Sequence, residues 1–478
     1  MTIRKFALLA VCAVLLLPPM IGRAQAPAVP VFHGIGDLPG GPTLSSVRDA
    51  TRVGSTIYAV GAGAANNQVL CTGPNVPAGC VNGFGQDTPV LWTFDTVSQN
   101  GALTALPPIV SNTTFGNQIV ASAITPDGNY IASAARTASN TGQSAAVRVT
   151  RALLPFPSAN FDLRPAPYNA PTPSGVTAIS NDGSVLWGNS NAGRALRFDL
   201  NNAAGNLTIP FLRGTDNRNQ IFAHDGSANG LIGAGVSFNS ATPTLTQAFR
   251  YKWNPATNTG TLTGLPFAPN GGTWNRAVDM SADGRYTLMS GDNSAYPQGE
   301  LIIHDATTNT LTELGSPASA WHTSGFAGMT DDGAVVASSF FSTVGNSPGL
   351  AYIHNAHGWF QVNGMLRRAG IDLRSQGWDV QQSMNITGIS GDGTLLFGSM
   401  PHNGTFEGFV MEFPAGYLAN YNITAVPVAD TLPRVSITRS GRRLANWMRA
   451  SVSASCKSAV PRGRIETISN PRARAGWS

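Results

Sequence analysis

Three tryptophans in this sequence stand beside polar side chains in short loops: "GTWNRAV" (272–278), "SAWHTSG" (319–325) and "QGWDVQQS" (376–383). A fourth loop, "GTDNRNQ" (214–220), is wholly polar. Indole faces next to hydrogen-bonding groups suit sugar rings or another flat, weakly charged polymer unit. That chemistry would draw on Trp274, Asn275, Arg276, Trp321, His322, Trp378, Asp379, Asn217 and Arg218 as ligand-binding residues, if the fold brings the four loops together. His322 and Arg276 add a catalytic option. Arginine neutralises a substrate carboxylate, and a histidine titrating near neutrality takes the adjacent proton. The plain alternative is that each tryptophan fills space between structural units and that His322 is a surface residue.

Other chemistries find no support. The sequence has no Gly-x-Ser-x-Gly elbow, no His-Glu-x-x-His, no Cys-x-x-Cys-His and no glycine-rich phosphate loop with a lysine. Glutamate occurs only at Glu300, Glu313, Glu407, Glu412 and Glu466, and none stands with a rim aspartate as a glycosidase pair would. His304, His354 and His357 fall on or beside strands away from the tryptophan loops, His33 near the start, His402 in a turn and His224 before an Asp-Gly pair. No cofactor or metal is expected.

The elements that would position these loops are repeats. "NITGISGDGTLLFGS" (385–399) has close counterparts in "ASAITPDGNYIAS", "VTAISNDGSVLWG", "QIFAHDGSANGLIG", "AVDMSADGRYTLMS" and "AGMTDDGAVVASS". Asp-Gly between two alternating apolar runs predicts a β-hairpin with a type I′ turn. The pairs begin at Asp127, Asp182, Asp225, Asp283, Asp332 and Asp392, and Val53-Gly54 marks a worn seventh copy. A third strand follows each hairpin, for example "PVLWTFD", "RALRFDL" and "QAFRYKW", and then usually a turn and a fourth. Repeats of this length with four strands each predict an all-β, seven-bladed β-propeller of four-stranded antiparallel blades over residues 27–424. The last copy supplies three strands and stops at Phe413, while "VFHGIGDLPGG" (31–41) has the form of a lone fourth strand. The N-terminal strand is therefore expected to close the last blade, removing two open sheet edges. "RRAGIDLRSQGW" (367–378) reads as a short helical insertion covering one channel end. The four loops above precede innermost strands, which places them at the mouth of the central channel.

"GIGDLPGG", the "AFRYKW" strand and "GISGDGTLLFGS" resemble the extracellular HAF repeat family over about residues 31–413. That family's repeat runs as an Ala-Phe-Arg-Trp strand, a Gly-Leu-Gly-Asp-Leu-Pro-Gly-Gly strand and loop, then Gly-Ile-Ser-x-Asp-Gly. The resemblance implies a bacterial secreted or surface protein, at times an autotransporter passenger, and no single activity. The membrane barrel of the autotransporter arrangement does not follow here, so surface anchoring is not implied.

Composition bounds the rest. Of 478 residues only 12% are charged, with 53 glycines and 32 prolines, which suits short strands and tight turns. Residues 1–26 read as a signal peptide: Arg4 and Lys5 precede the apolar stretch Phe6–Leu17, with cleavage expected after Ala24 or Ala26. In an oxidising compartment Cys71 and Cys80, flanking "TGPNVPAG", are expected to form a disulfide. The net charge of +5 resides in the two ends, because residues 425–478 carry ten Lys/Arg against two Asp/Glu. The remainder is acidic, which argues against nucleic acid as a partner, and the basic tail reads as disordered. The expectation is a secreted monomer, extracellular or periplasmic, with no transmembrane segment once the signal is removed. It would recognise a polysaccharide or surface partner, the alternative being an extracellular polymer-degrading lyase or hydrolase.

Overall fold

A hydroxyl group explains the repeated phrase. In the computed structural model the described residues are 29–39, 44–64, 88–106, 115–137, 144–153, 161–164, 173–190, 193–202, 205–212, 219–239, 242–317, 321–342, 349–380 and 384–422. In six of its turns a Ser or Thr donates to an Asp or Asn two residues on, as Thr125 does to Asp127 at 2.6 Å and Ser281 to Asp283 at 2.7 Å. The same hydroxyl accepts the N–H of the residue five on, such as Tyr130 at 3.0 Å and Tyr286 at 2.8 Å. The following glycine donates its N–H back to the Ser or Thr carbonyl. The six glycines have φ between +67° and +70°, and the Asp or Asn before each has no positive φ. That pattern fits a type I turn followed by a left-handed glycine, not the expected type I′, so a single residue takes the costly conformation.

One of the Asp-Gly pairs is not a turn. Asp225-Gly226 lies inside the strand Asn219–Gly226, and the turn of that copy is Ser227–Gly230 around Asn229. Gly226 answers a packing demand: a Cβ there would stand 2.2 Å from the Trp187 indole, which is fully buried.

The strands form seven four-stranded antiparallel sheets, as expected. Blade 1 comprises Ser45–Val53, Thr56–Gly63, Thr88–Asp95 and Asn100–Ala105, from the inside out. The inner strands of blades 2 to 6 are Phe115–Ile124, Pro173–Ile179, Asn219–Gly226, Asn275–Met280 and Trp321–Met329. Blade 7 has Asn385–Ile389, Leu395–His402 and Thr405–Glu412, and its outer strand is Val31–Gly34. That closing strand runs antiparallel to Thr405–Glu412, with Val31 opposite Glu412 and Gly34 opposite Phe409. Neutral His33 donates from Nε2 to Glu412 at 2.6 Å, and Arg52 of blade 1 pairs with the same carboxylate. Burial, then the Arg52 charge, lowers the His33 pKa to about 4.

Apolar clusters fill the wedges between blades, for example Trp187 and Ala178 of blade 3 against Ile221, Phe249 and Trp253 of blade 4. Polar clasps cross the same wedges. Arg148 of blade 2 donates to Gly183 O at 2.9 Å and Arg197 of blade 3 to Gly230 O at 3.0 Å, while Arg250 of blade 4 bonds Gly284 O. In each case a third-strand arginine holds the left-handed glycine of the next blade's turn. The insertion before blade 7 begins earlier than expected, with a helix over Val362–Arg368. None of its residues lines either of the two channel sections described below. Its buried Val362, Met365, Leu366, Leu373 and Trp378 join the core between blades 6 and 7.

The cysteine pair, the signal segment and residues 425–478 lie outside the described residues; contacts divide the chain at Tyr421, and of the second unit only Asn422 is described. No helix among the described residues is long and apolar enough to cross a membrane.

Arg197 is the most buried of these clasps, at 1% exposure, and also meets Gly205 O at 2.7 Å and Asp199 at 3.2 Å. Arg197→Met is expected to cost about 3–5 kcal/mol by urea unfolding, because it strands two carbonyls and a carboxylate. A loss within about 0.5 kcal/mol, the range of ordinary surface changes, would refute the clasp.

Candidate functional site

Every inner strand departs from regular pairing, and the departure builds the channel. Register shifts fall at Val47/Asp49, Ala121/Ala123, Val176/Ala178, Ala223/Asp225, Ala277/Asp279 and Ile386/Gly388, with a longer irregularity at Thr323/Ala327 in blade 6. Such bulges leave one residue outside the ladder and re-aim its side chain. The residues so released are Arg48, Ser122, Thr177, His224, Val278 and Thr387; with Ala327 they line the channel as one layer. Each stands five positions before the turn residue Val53, Asp127, Asp182, Asn229, Asp283, Asp332 or Asp392.

Two sections meet at this layer. The wider, about 450 Å³, adds Val120, Val176 and Arg276 toward the starts of the inner strands. The narrower, about 210 Å³, adds Asp49, Asp225 and Asp279 toward their ends. Arg276 faces the wide section with its Nε buried and without a hydrogen-bond partner. Burial lowers the pKa of Arg48 and Arg276, yet a guanidinium starting so high stays charged. His224 donates Nδ1–H to Ala277 O at 2.5 Å, which leaves Nε2 as an acceptor. Burial, helped by the Arg276 charge and opposed by that bond, lowers its pKa, so the imidazole is neutral.

The narrow section is acidic, and its carboxylates tie the ring. Asp49 accepts Ile124 N–H at 2.8 Å, Asp225 accepts Met280 N–H at 2.8 Å and Asp279 accepts Met329 N–H at 2.6 Å, each from the next blade's inner strand. Burial raises Asp49 to about 7 against the pull of those bonds. Burial raises Asp225 and Asp279 too, and the Asp225 charge raises Asp279 further. Asp279 therefore holds a proton and donates it to Asp225. Among the described residues no group of three or more His, Cys, Asp or Glu is placed to hold a metal ion.

Of the residues singled out in the sequence whose side chains are among the described residues, only Arg276 lines the channel. Asn275 is fully buried and structural: its Oδ1 accepts Ala248 N–H at 2.7 Å and its Nδ2 donates to Pro266 O at 2.6 Å. Trp274 is half-buried and its indole lies over Gly299. Trp378 is a core residue at 5% exposure, stacked on His402 at 4.2 Å and edge-on to Phe32 at 4.9 Å. Asp379 follows it, half-buried, with its N–H on Pro401 O. Trp321 and His322 begin the blade 6 inner strand, and their side chains lie outside the described residues, as do Asn217 and Arg218. The tryptophan rim is thus not assembled around the channel by Trp274 and Trp378; both are taken up in packing.

Two glutamates stand together, a pairing that the sequence did not reveal. Glu300, fully buried, and Glu313 share the amide of Asn293 on the same face as the wide section. Burial, then Glu313, pushes Glu300 up to about 7, and Glu313 Oε1 is buried without a partner. A protonated Glu300 suits that neighbour.

No family model and no curated protein matches this sequence. Among solved structures it is similar to TolB from Acinetobacter baumannii, at 17% identity over 56% of this chain and 58% of that one, TM-score 0.34. It is similar to the β-propeller domain of the Trilobed protease from Pyrococcus furiosus, at 12% identity over 77% and 95% of the two chains, TM-score 0.43. Prolyl oligopeptidase B from Galerina marginata is similar at 10% identity over 75% of this chain and 47% of that one, TM-score 0.47. The likenesses add no site residue; the seven blades are read from the strand pairing itself.

Asp279→Asn keeps both bonds, its oxygen accepting Met329 N–H and its amide donating to Asp225, without a titrating group. A carboxyl group whose folded pKa is raised loses stability as pH climbs from its unfolded value through the folded one. Wild type and variant should therefore melt alike near pH 4 and diverge above it, the variant gaining a steadily larger lead toward alkaline pH. A gap that does not widen with pH would contradict the shared proton.

Proposed function

We propose that this chain is a secreted binding protein that takes part of an extracellular ligand, a polysaccharide or another surface partner, into the wide section of its channel. One observation carries the reading: the bulges of separate blades turn Arg48, Ser122, Thr177, His224 and Thr387 onto one axis beside Arg276. A ring could be stabilised more cheaply by apolar residues there, since buried polar groups cost free energy unless satisfied. The volume of about 450 Å³ lies within the range of small-molecule sites, about 300–1,000 Å³. Export is supported by the basic and then apolar N-terminus, and by the HAF-like repeat phrase, whose family is found among secreted and surface proteins.

Val278→Trp places a bulky ring in the channel layer from a half-buried position. Against a panel of glycans and polyesters, read for both binding and product release, the wild-type chain should bind at least one polymer and release no product. Val278→Trp should weaken that binding by about tenfold or more with its melting temperature kept. Equal binding by the blocked variant would place the site elsewhere. Product release abolished by His322→Ala, with binding retained, would transfer the reading to an extracellular lyase or hydrolase.

A further inference from the structure

The wide section carries one sign of charge, and the charge of Arg276 is not answered from within. Arg276 reaches it from blade 5, Arg48 from blade 1, and neutral His224 from blade 4. The carboxylates of the channel, Asp49, Asp225 and Asp279, border the narrow section and are absent from the lining of the wide one. Each already serves a backbone N–H of the neighbouring blade. No carboxylate lowers the energy of the Arg276 cation, whose pKa is moved by burial alone. Its Nε–H is buried without an acceptor.

A guanidinium edge left in this condition is costly, because a buried donor without a partner forfeits its hydration. The group that answers the charge of this side chain from the channel is an oxyanion. Carboxylates and phosphates accept two parallel N–H bonds from arginine, and the planar fork is already oriented for them. The rest of the lining is suited to hydroxyls. Thr387 Oγ1 donates its proton to Val47 O at 2.7 Å and Thr177 Oγ1 points its own at Trp187 O and Ala223 O at 3.4 Å, so both keep lone pairs that accept a ligand O–H, as does His224 Nε2, while Ser122 adds a further hydroxyl. Arg276 and these hydroxyl partners thus line one section of about 450 Å³.

We infer that the wide section binds an oxyanion carried on a hydroxyl-rich unit: an acidic sugar whose anionic group meets Arg276 and Arg48 and whose hydroxyls meet the bulge layer. This rests on the channel being the binding site. A sugar carboxylate and a sugar phosphate share the chemistry, and the probes separate them.

The test is calorimetric titration of the whole chain at low ionic strength with glucuronate, inorganic phosphate and glucose. Glucuronate or phosphate should bind, and the one that does identifies the source of the anion; glucose should be weaker by about tenfold or more. Arg276→Gln should lose about tenfold or more of the anion affinity, and Arg276→Lys, which keeps the charge but not the fork, should fall between. If Arg276→Gln does not fold, Arg48→Gln gives the same readout. Glucose binding as tightly as the anions, neither anion binding, or Arg276→Gln binding like wild type would each overturn the inference. Should neutral glycans bind nonetheless and Val278→Trp block them, the channel remains the site and only its preference for anions falls.

Discussion

The pairing of Val31–Gly34 with Thr405–Glu412 is the constraint on which the ring depends. It joins residues almost four hundred positions apart, as the His33–Glu412 bond across 379 positions shows. The cost of closing so long a loop grows only slowly with its length, and the seam's own bonds offset it. Glu412 is the centre of that seam. Its carboxylate holds His33 of the closing strand and Arg52 of the first blade, so one side chain fastens strand to blade and last blade to first. Without the seam the last sheet would end in an open edge, and the first and last blades would face solvent.

A closed ring fixes the spacing of its blades, and the inter-blade bonds use that spacing. Third-strand arginines reach the left-handed glycines of the next turn, and Asp49, Asp225 and Asp279 reach the next inner strand. Both devices need the neighbour at one distance and one tilt. They also connect two parts of the repeat that look independent in sequence, the Arg of "AFRYKW" and the Gly of the turn that follows. The same geometry brings the bulges onto one axis. A bulge aims a side chain only relative to its own strand; seven strands standing around a common centre turn that local irregularity into a lining.

Much of the architecture was legible because it follows from short-range patterns. Turn residues between alternating runs marked the hairpins, and a last copy one strand short, with a lone strand at the other end, marked the closure. The site was harder to see. Period-two alternation assigns each side chain to a face, and a bulge breaks that assignment one residue before it matters, so Thr177 and Thr387 looked like ordinary strand residues. The usable signal was there: counting five positions back from each turn residue gives the channel layer. In the blade 4 copy that count was hidden, because Asp225-Gly226 imitates the turn while Gly226 makes way for Trp187. Tryptophan beside polar residues was ambiguous for a different reason. Trp378 sits in a loop, yet the insertion and the closing strand fold over it, and only the arrangement of distant segments reveals that Phe32 and His402 are its neighbours.

The most direct measurement is strand complementation. A chain starting after Gly36, mixed with a peptide spanning residues 29–38, removes the closing strand and then returns it in trans. The account predicts that the shortened chain loses its single cooperative unfolding transition and that the peptide restores it, whereas a peptide with Phe32 and His33 replaced by alanine does not. A shortened chain that unfolds at the same midpoint and with the same cooperativity as the whole protein would contradict it.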